Sequence, residues 1–166
     1  IPGMTHRMKL VIAYLGTWFH GWQRQRGQRT VQGELERALT RGTGGMEIVV
    51  VGAGRTDAGV HAAAQVAHCD LPSGLAAEGL ARALDGSLPN DLRVRSVSAA
   101  DGSFHARRSA RGKRYTYRAT WSRAGLPWRQ LRSARLSARL DITRLERALA
   151  LYRGSHAQRG KGADRY

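Results

Sequence analysis

Runs of β-forming residues alternate with amphipathic stretches in this chain, and their order restricts the folds open to it. Residues 9–14 (KLVIAY) predict a strand, and residues 31–39 predict a helix with Thr30 as its N-cap and Glu34 in its first turn. The later predicted elements are strands at residues 47–53, 65–70, 92–97 and 113–120, a helix at residues 75–84, and a helix from the N-cap Asp141 to about Leu151. This order predicts an α+β fold, an antiparallel sheet with helices on one face.

Composition indicates the kind of partner. The 166 residues suit one domain or slightly more, and 42% hydrophobic residues are enough for a core. Lys and Arg number 28 against 12 Asp and Glu, a formal net charge of +16. Such a charge repels itself in a compact domain and favours a polyanionic partner, and the arginines suit phosphate geometry. Nucleic acid is therefore expected, while an Arg-rich surface from a GC-rich coding background would give the same count without a ligand. The split βαβ arrangement within the predicted order is used by many RNA-binding domains.

The single cysteine and the absence of long apolar runs bear on location. Cys69 has no intrachain disulfide partner, and no run reaches the ~18 apolar residues of a membrane span. The first residues contain no signal-peptide core, and we expect residues 1–8 to be an N-terminal extension or tag remnant. These features predict a soluble cytoplasmic protein.

Residues 52–61 (GAGRTDAGVH) hold the most distinctive motif. Two glycines after a predicted strand suggest a dinucleotide-binding loop, but Asp57 occupies the third glycine position, and no Walker A Gly-Lys-Ser/Thr follows. What is left is a carboxylate on a tight loop, two residues beyond Arg55, which can pair with it. A positioned Asp can act as nucleophile or general base at a sugar. The alternative is that Asp57 merely closes an Asx-turn.

A basic and aromatic stretch covers residues 103–117. Its cations precede two tyrosines, and the stretch contains Arg107, Arg108, Arg111, Lys113, Arg114, Tyr115 and Tyr117. This pattern suits phosphate contact combined with base stacking. On the predicted strand Tyr115 and Tyr117 would share one face. The alternative is a solvated basic edge strand with its tyrosines in the core.

Two further patterns in the sequence are weaker. Trp22 and Arg24 lie on one loop and could contact RNA, although loop aromatics usually fold back onto the core. His61, His68 and Cys69 lie near each other in the sequence without the spacing of a metal site, so we expect no metal.

Together, these stretches resemble the TruA family of tRNA pseudouridine synthases. The resemblance covers roughly residues 9–117, and residues 54–61 (GRTDAGVH) are its most specific part. The other matching segments are residues 14–17, 21–25, 29–32, 35–36, 65–66, 88–89 with Asp91, 104–107, 109–110 and Tyr115.

The resemblance implies a pseudouridine synthase fold with two similar ferredoxin-like or RRM-like lobes around a basic cleft. It implies a homodimer that uses no cofactor and no metal. Its substrate would be tRNA, in which it isomerises uridine to pseudouridine in the anticodon stem-loop, around positions 38 to 40, after the base has left the stack.

The resemblance also assigns roles to residues. Asp57 matches the catalytic carboxylate, Arg55 the arginine that pairs with it, and Tyr115 the tyrosine that stacks on the target base. We expect four further cations to contact the substrate: Arg24, Arg107, Lys113 and Arg114.

The domain organisation follows from the same resemblance. Residues 9–120 would form the N-terminal catalytic lobe, and residues 121–166 the start of a C-terminal lobe that is cut short. Asp85 stands where the family usually has Asn, and the motif beginning at Gly154 continues as Ala157-Gln158-Arg159 in place of an acidic residue and aromatics. A non-catalytic RNA-binding lobe is therefore the alternative function.

Overall fold

The computed structural model describes residues 5–72, 74, 76–121 and 131–154. The elements are β1 (Thr5–Tyr14), a 3-10 turn (Gly16–Trp18), α1 (Val31–Gly42), β2 (Val51–Gly52), β3 (Ala62–Pro72), α2 (Ala77–Ser87), β4 (Leu92–Ala99), β5 (Ala119–Thr120), β6 (Ala134–Arg135) and α3 (Ile142–Ala150). The chain divides into two compact units, Ile1–Tyr115 and Thr116–Tyr166, here called unit 1 and unit 2. No helix in the described ranges is long and apolar enough to cross a membrane.

Unit 1 contains a four-stranded sheet in the order β2-β3-β1-β4. β1 pairs antiparallel with β3 and with β4, and β2 pairs antiparallel with β3. Combined with the chain order β1-α1-β2-β3-α2-β4, this is the split βαβ arrangement. The predicted α+β fold with an antiparallel sheet is confirmed.

Both helices of unit 1 pack on one face of this sheet. Alternate residues of β1 are buried, because successive side chains of a strand point to opposite faces. The core lies between the sheet and the helix layer, with Leu10, Ile12, Ala67, Cys69 and Leu71 from the sheet, Val31, Leu35 and Leu39 from α1, and Leu80 and Leu84 from α2. Each buried Leu or Ile contributes roughly 1.5–3 kcal/mol relative to exposure. This apolar layer fixes one face of the sheet and leaves the other free to carry polar groups.

Helix boundaries follow local capping. The Thr30 side chain accepts a hydrogen bond from the Gly33 N–H, and Asp141 does the same for Arg144, as predicted. α1 extends to Gly42, and α2 begins at Ala77. Residue 75, the predicted start of α2, lies outside the described residues.

The predicted second strand, residues 47–53, is mostly wrong. Only Val51–Gly52 pair with β3. Val50 is buried, but both of its backbone groups bond to side chains of α1. Its N–H donates to Glu36 Oε1 at 3.0 Å, and its carbonyl accepts from Gln32 Nε2 at 3.0 Å. Side chains of α1 thus form the hydrogen bonds that a neighbouring strand would otherwise form with Val50.

The predicted fifth strand, residues 113–120, is also mostly wrong. Strand geometry is confined to Ala119–Thr120, which pair with β6 inside unit 2. Residues 111–119 are all exposed, so the alternating tyrosines bury no apolar face that could hold them to a sheet. Tyr115 is 62% exposed and Tyr117 93% exposed, and they belong to different units.

The N-terminal residues differ from expectation. Thr5 to Met8 form the first part of β1 and pair with residues 69–72 of β3, although residues 1–8 were expected to be an extension. Met8 is buried in the core. The residues from 155 onward, including the departing motif at 157–159, lie outside the described part of the chain.

Candidate active site

The loop between β2 and β3 carries Arg55 and Asp57, and the segment that follows β1 holds it in place. The Trp22 N–H donates to the Thr56 carbonyl at 2.9 Å. The hydroxyl groups of Tyr14 and Thr56 lie 2.8 Å apart. The Gly16 N–H donates to His61 Nδ1 at 3.0 Å. These bonds flank Asp57 on both sides, so its backbone position is fixed by residues about forty positions earlier in the chain.

Three glycines permit this close packing. Gly21 has φ of +85°, and a Cβ there would meet the Thr56 carbonyl. A Cβ on Gly16 would collide with the Val60 carbonyl. A Cβ on Gly52 would occupy the space of the Trp22 indole. Trp22 is 2% exposed, so it is a core residue rather than an RNA-stacking one.

Asp57 presents a free carboxylate to solvent. The residue is exposed, and among the described residues no hydrogen bond or ion pair engages its carboxylate. Apart from Glu78 on the first turn of α2, the other carboxylates of unit 1 have partners, namely Glu34, Glu36, Glu47, Asp70, Asp85, Asp91 and Asp101. In so basic a domain, an unengaged acid on a fixed loop is available to a ligand.

Arg55 is exposed and does not pair with Asp57 in the described structure. Its side chain instead lines a shallow pocket together with Arg107, between Trp22 and the edge formed by β2. Gln23 and Gln32 line the same pocket, and no acidic residue of the described part of the chain does so. Two guanidinium groups without a carboxylate form an anion-attracting surface.

Lys113 and Tyr115 lie near the same loop. The Lys113 ammonium packs against Gly54, immediately before Arg55. Tyr115 is close enough to Tyr14 to influence its hydroxyl: the pKa of Tyr14 is raised mainly by burial, lowered by hydrogen bonds to Thr56 and Gln65, and raised further by Tyr115. The structure therefore brings Arg55, Asp57, Arg107, Lys113 and Tyr115 to one region of unit 1.

The two remaining predicted substrate contacts lie differently. Arg24 Nη1 is 3.1 Å from Oε2 of the buried Glu36 and 3.7 Å from Glu47. The Arg24 side chain is 56% exposed, so part of it faces solvent while its charge compensates a buried carboxylate. Arg114 is exposed, beside Lys113 in sequence.

His61, His68 and Cys69, which lie close in sequence but were not expected to bind a metal, have structural contacts. His61 Nδ1 accepts from Gly16, and His68 Nδ1 accepts from the Ala106 N–H at 3.2 Å. Cys69 is a core residue, and burial raises the pKa of its thiol to about 12. The described ranges contain no group of three His, Cys, Asp or Glu side chains placed to hold a metal ion.

Fold and site together define a class of domain: a split βαβ sheet that presents a carboxylate loop on a basic surface. Residues 10–107 match the family model described as tRNA pseudouridine synthase. The chain belongs to the tRNA pseudouridine synthase family, which confirms the resemblance seen in the sequence.

Individual relatives of the chain carry the same family name. The chain is 45% identical over 153 residues to tRNA pseudouridine synthase A of Latilactobacillus sakei, covering 92% of this chain and 61% of that protein. It is 46% identical over 154 residues to tRNA pseudouridine synthase A of Geobacillus kaustophilus, covering 92% and 59%. The chain thus spans about three-fifths of the length of these relatives.

Proposed function

We propose that this chain isomerises uridine to pseudouridine in tRNA, with Asp57 as the catalytic carboxylate. The observation that carries the proposal is the free Asp57 carboxylate on a loop fixed at Thr56 and His61. Family membership supports the reaction type, and the names of the relatives support tRNA as substrate. The anticodon stem-loop as target, the homodimer and the cytoplasmic location remain predictions.

The reaction balances without an oxidant. The bond between N1 of uracil and C1′ breaks, the ring rotates, and a bond forms between C5 and C1′. The C5 proton is lost to solvent and N1 gains one, so the product is an isomer of the substrate. Asp57 would either attack C1′ or remove a sugar proton, and both routes require a carboxylate beside the sugar.

The surrounding residues suit the remaining tasks. The target base must leave the helix stack. The exposed Tyr115 ring could stack on it, which is worth ~1–3 kcal/mol per base. Arg107, Lys113 and Arg114 would contact the phosphates, and Arg55 would sit between the phosphates and Asp57.

The test is release of tritium from tRNA labelled at uracil C5. Asp57→Asn keeps the shape of the side chain and should abolish release, while tRNA binding stays within a few-fold. Asp85→Asn is the matched control, because Asp85 is 70% exposed on α2 and loses the same charge elsewhere. Full release by Asp57→Asn would disprove the assignment.

A second candidate is a non-catalytic RNA-binding lobe. It is favoured by the net charge of +16, which suits RNA binding whether or not Asp57 acts on the substrate. In that case the wild-type chain would bind tRNA and release no tritium, and Asp57→Asn would behave identically to it.

A further inference from the structure

The sheet face opposite the helices carries a histidine pair. His68 of β3 is 5% exposed and lies on the opposite face from its core neighbours Ala67 and Cys69. The ring of His105 packs on that of His68, with centroids 4.8 Å apart. Phe104 meets His68 edge-on at 6.1 Å. The segment of residues 104–108, which leads into the basic stretch, therefore lies over this face.

Each histidine accepts backbone hydrogen bonds at Nδ1. His68 Nδ1 accepts from the Ala106 N–H at 3.2 Å. His105 Nδ1 accepts from the N–H groups of Arg107 and Arg108 at 3.2 and 3.3 Å. An imidazole nitrogen accepts a hydrogen bond only while it carries no proton, so both Nδ1 atoms act as acceptors in this arrangement.

The segment held in this way ends at the pocket beside the Asp57 loop. Ala106 is 2% exposed and anchors it, whereas Arg107 reaches the pocket that Arg55 also lines. The pocket orientation of Arg107 thus follows a backbone conformation that the two Nδ1 atoms fix.

We propose that His68 and His105 are positioning residues that hold Arg107 beside Arg55 for contact with an RNA phosphate. The role of the phosphate rests on the proposed function, while the fixing of the segment does not. Neither histidine touches the reacting atoms in this arrangement. Both act through the backbone of residues 106–108.

The surroundings make the arrangement sensitive to acid. The charged and titratable groups near His68 are Arg7, Lys9, Asp70, His105 and Arg108. Burial lowers the pKa of His68, Arg7, His105 and Arg108 lower it further, and Asp70 opposes them. A lowered pKa keeps the ring neutral at neutral pH. Because this pKa is lowered, His68 gains a proton only at a pH below the ordinary histidine value, and protonation would convert the Nδ1 acceptor into a donor and release the segment.

The variants His105→Asn and His105→Leu test the proposal. Asn places an amide oxygen close to the position of Nδ1 and can accept the same N–H groups, as in an Asx-turn, without titrating. Leu fills similar space and accepts nothing. Two readouts apply to each protein: affinity for a fluorescent uridine-containing RNA stem-loop, and hydrogen exchange of the amides of residues 106–108 in the free protein.

At about pH 7.5 the Asn variant should match the wild type in both readouts. The Leu variant should exchange these amides faster and bind RNA roughly tenfold more weakly, the effect of losing one charge-assisted hydrogen bond.

A Leu variant with wild-type exchange and wild-type affinity would overturn the proposal. If the wild-type chain binds no RNA, the proposed function fails. The exchange comparison then still decides whether His105 fixes the segment: faster exchange in Leu alone supports it, and equal exchange refutes it.

Discussion

Tyr14, the last residue of β1, and Thr56, the residue before Asp57, bring their hydroxyl oxygens within 2.8 Å of each other. Tyr14 is 4% exposed and its ring packs on Phe19 and Trp22, so the contact ties the carboxylate loop to the core. The raised pKa of Tyr14, caused chiefly by burial, keeps the phenol protonated well into the alkaline range. The hydrogen bond should therefore persist at every pH at which turnover is measured.

The first prediction concerns this bond. Tyr14→Phe keeps the ring and removes only the hydroxyl, so we expect stability to fall by about 1 kcal/mol. Turnover should fall more, roughly ten- to a hundredfold in kcat with little change in KM, because the carboxylate loses its fixed position. Thr56→Ser keeps a hydroxyl and should retain most activity, whereas Thr56→Val should behave like Tyr14→Phe. Equal kcat in the Val and Ser variants would contradict the prediction.

The second prediction concerns Tyr115. Stacking needs a ring, so tRNA affinity should survive Tyr115→Phe better than Tyr115→Leu, with a difference of ~1–3 kcal/mol. If the hydroxyl takes part in proton transfer, turnover should collapse in both variants. Since Tyr115 is 62% exposed, the melting temperature should stay nearly constant in either. Normal turnover by the Phe variant would exclude the hydroxyl from chemistry.

The third prediction is that RNA binding depends steeply on salt. Several Lys and Arg contacts to phosphate release counterions, so affinity should fall by about 10³ or more between roughly 50 and 200 mM salt if six or more contacts form. Arg107→Gln should reduce the slope of log affinity against log salt by about 1. Arg82→Gln removes the same charge from an exposed position of α2, which covers the helix-bearing face of the sheet. This variant should leave the slope unchanged. Identical slopes for both variants would argue against Arg107 as a contact.

The fourth prediction links pH to stability. Arg29 donates two hydrogen bonds to Asp91, at 2.8 and 2.7 Å, and these lower the pKa of Asp91 below its usual 3.8. Because the folded pKa is the lower one, the pair contributes its full stability above the unfolded value and loses it as the pH falls through the folded value. Asp91→Asn should lower the melting temperature by several degrees at neutral pH, and the deficit should shrink as the pH falls below 3.8 and through the lowered pKa of Asp91.

Thermal unfolding followed by circular dichroism at a series of pH values measures this deficit. The control is Asp85→Asn, whose exposed carboxylate lies 3.6 Å from Arg93 and should contribute little. A deficit for Asp91→Asn that is constant across the pH range would show that packing, not the charge pair, is responsible.

How far the sequence predicts this fold depends on how local each determinant is. α1 starts at Val31 as expected, since its cap Thr30 and its apolar stripe are adjacent in the chain. The strand expected at residues 47–53 failed because Val50 bonds to Gln32 and Glu36, side chains that no local pattern reveals as strand substitutes. Polar and aromatic residues alternate near Tyr115 and Tyr117 as they do in a strand. Both tyrosine side chains are exposed, however, so no buried face stabilises a strand there.

In the candidate site, too, the features set by neighbouring residues could be predicted and those set by distant residues could not. Asp57 and its glycine-flanked loop could be read from the sequence, because the motif is contiguous. Tyr14 and His68 could not be given their supporting roles, since each acts on a segment about forty residues away. Arg55 was expected to pair with Asp57, but in the described structure it lines the pocket with Arg107.

The buried Glu36 constrains how the sequence of this domain can change over evolution. Its Oε1 accepts from Gln32 and Val50, whereas among the described residues its Oε2 has no hydrogen-bond donor and lies 3.1 Å from Arg24 Nη1. Replacing Arg24 first would leave the buried Glu36 carboxylate without a balancing charge, which destabilises the folded protein. Replacing Glu36 by Gln first keeps the acceptor for Val50 and removes the charge, after which Arg24 is no longer needed to balance it. The order of the two substitutions therefore matters: Glu36 can be replaced before Arg24, whereas replacing Arg24 first passes through a destabilised protein.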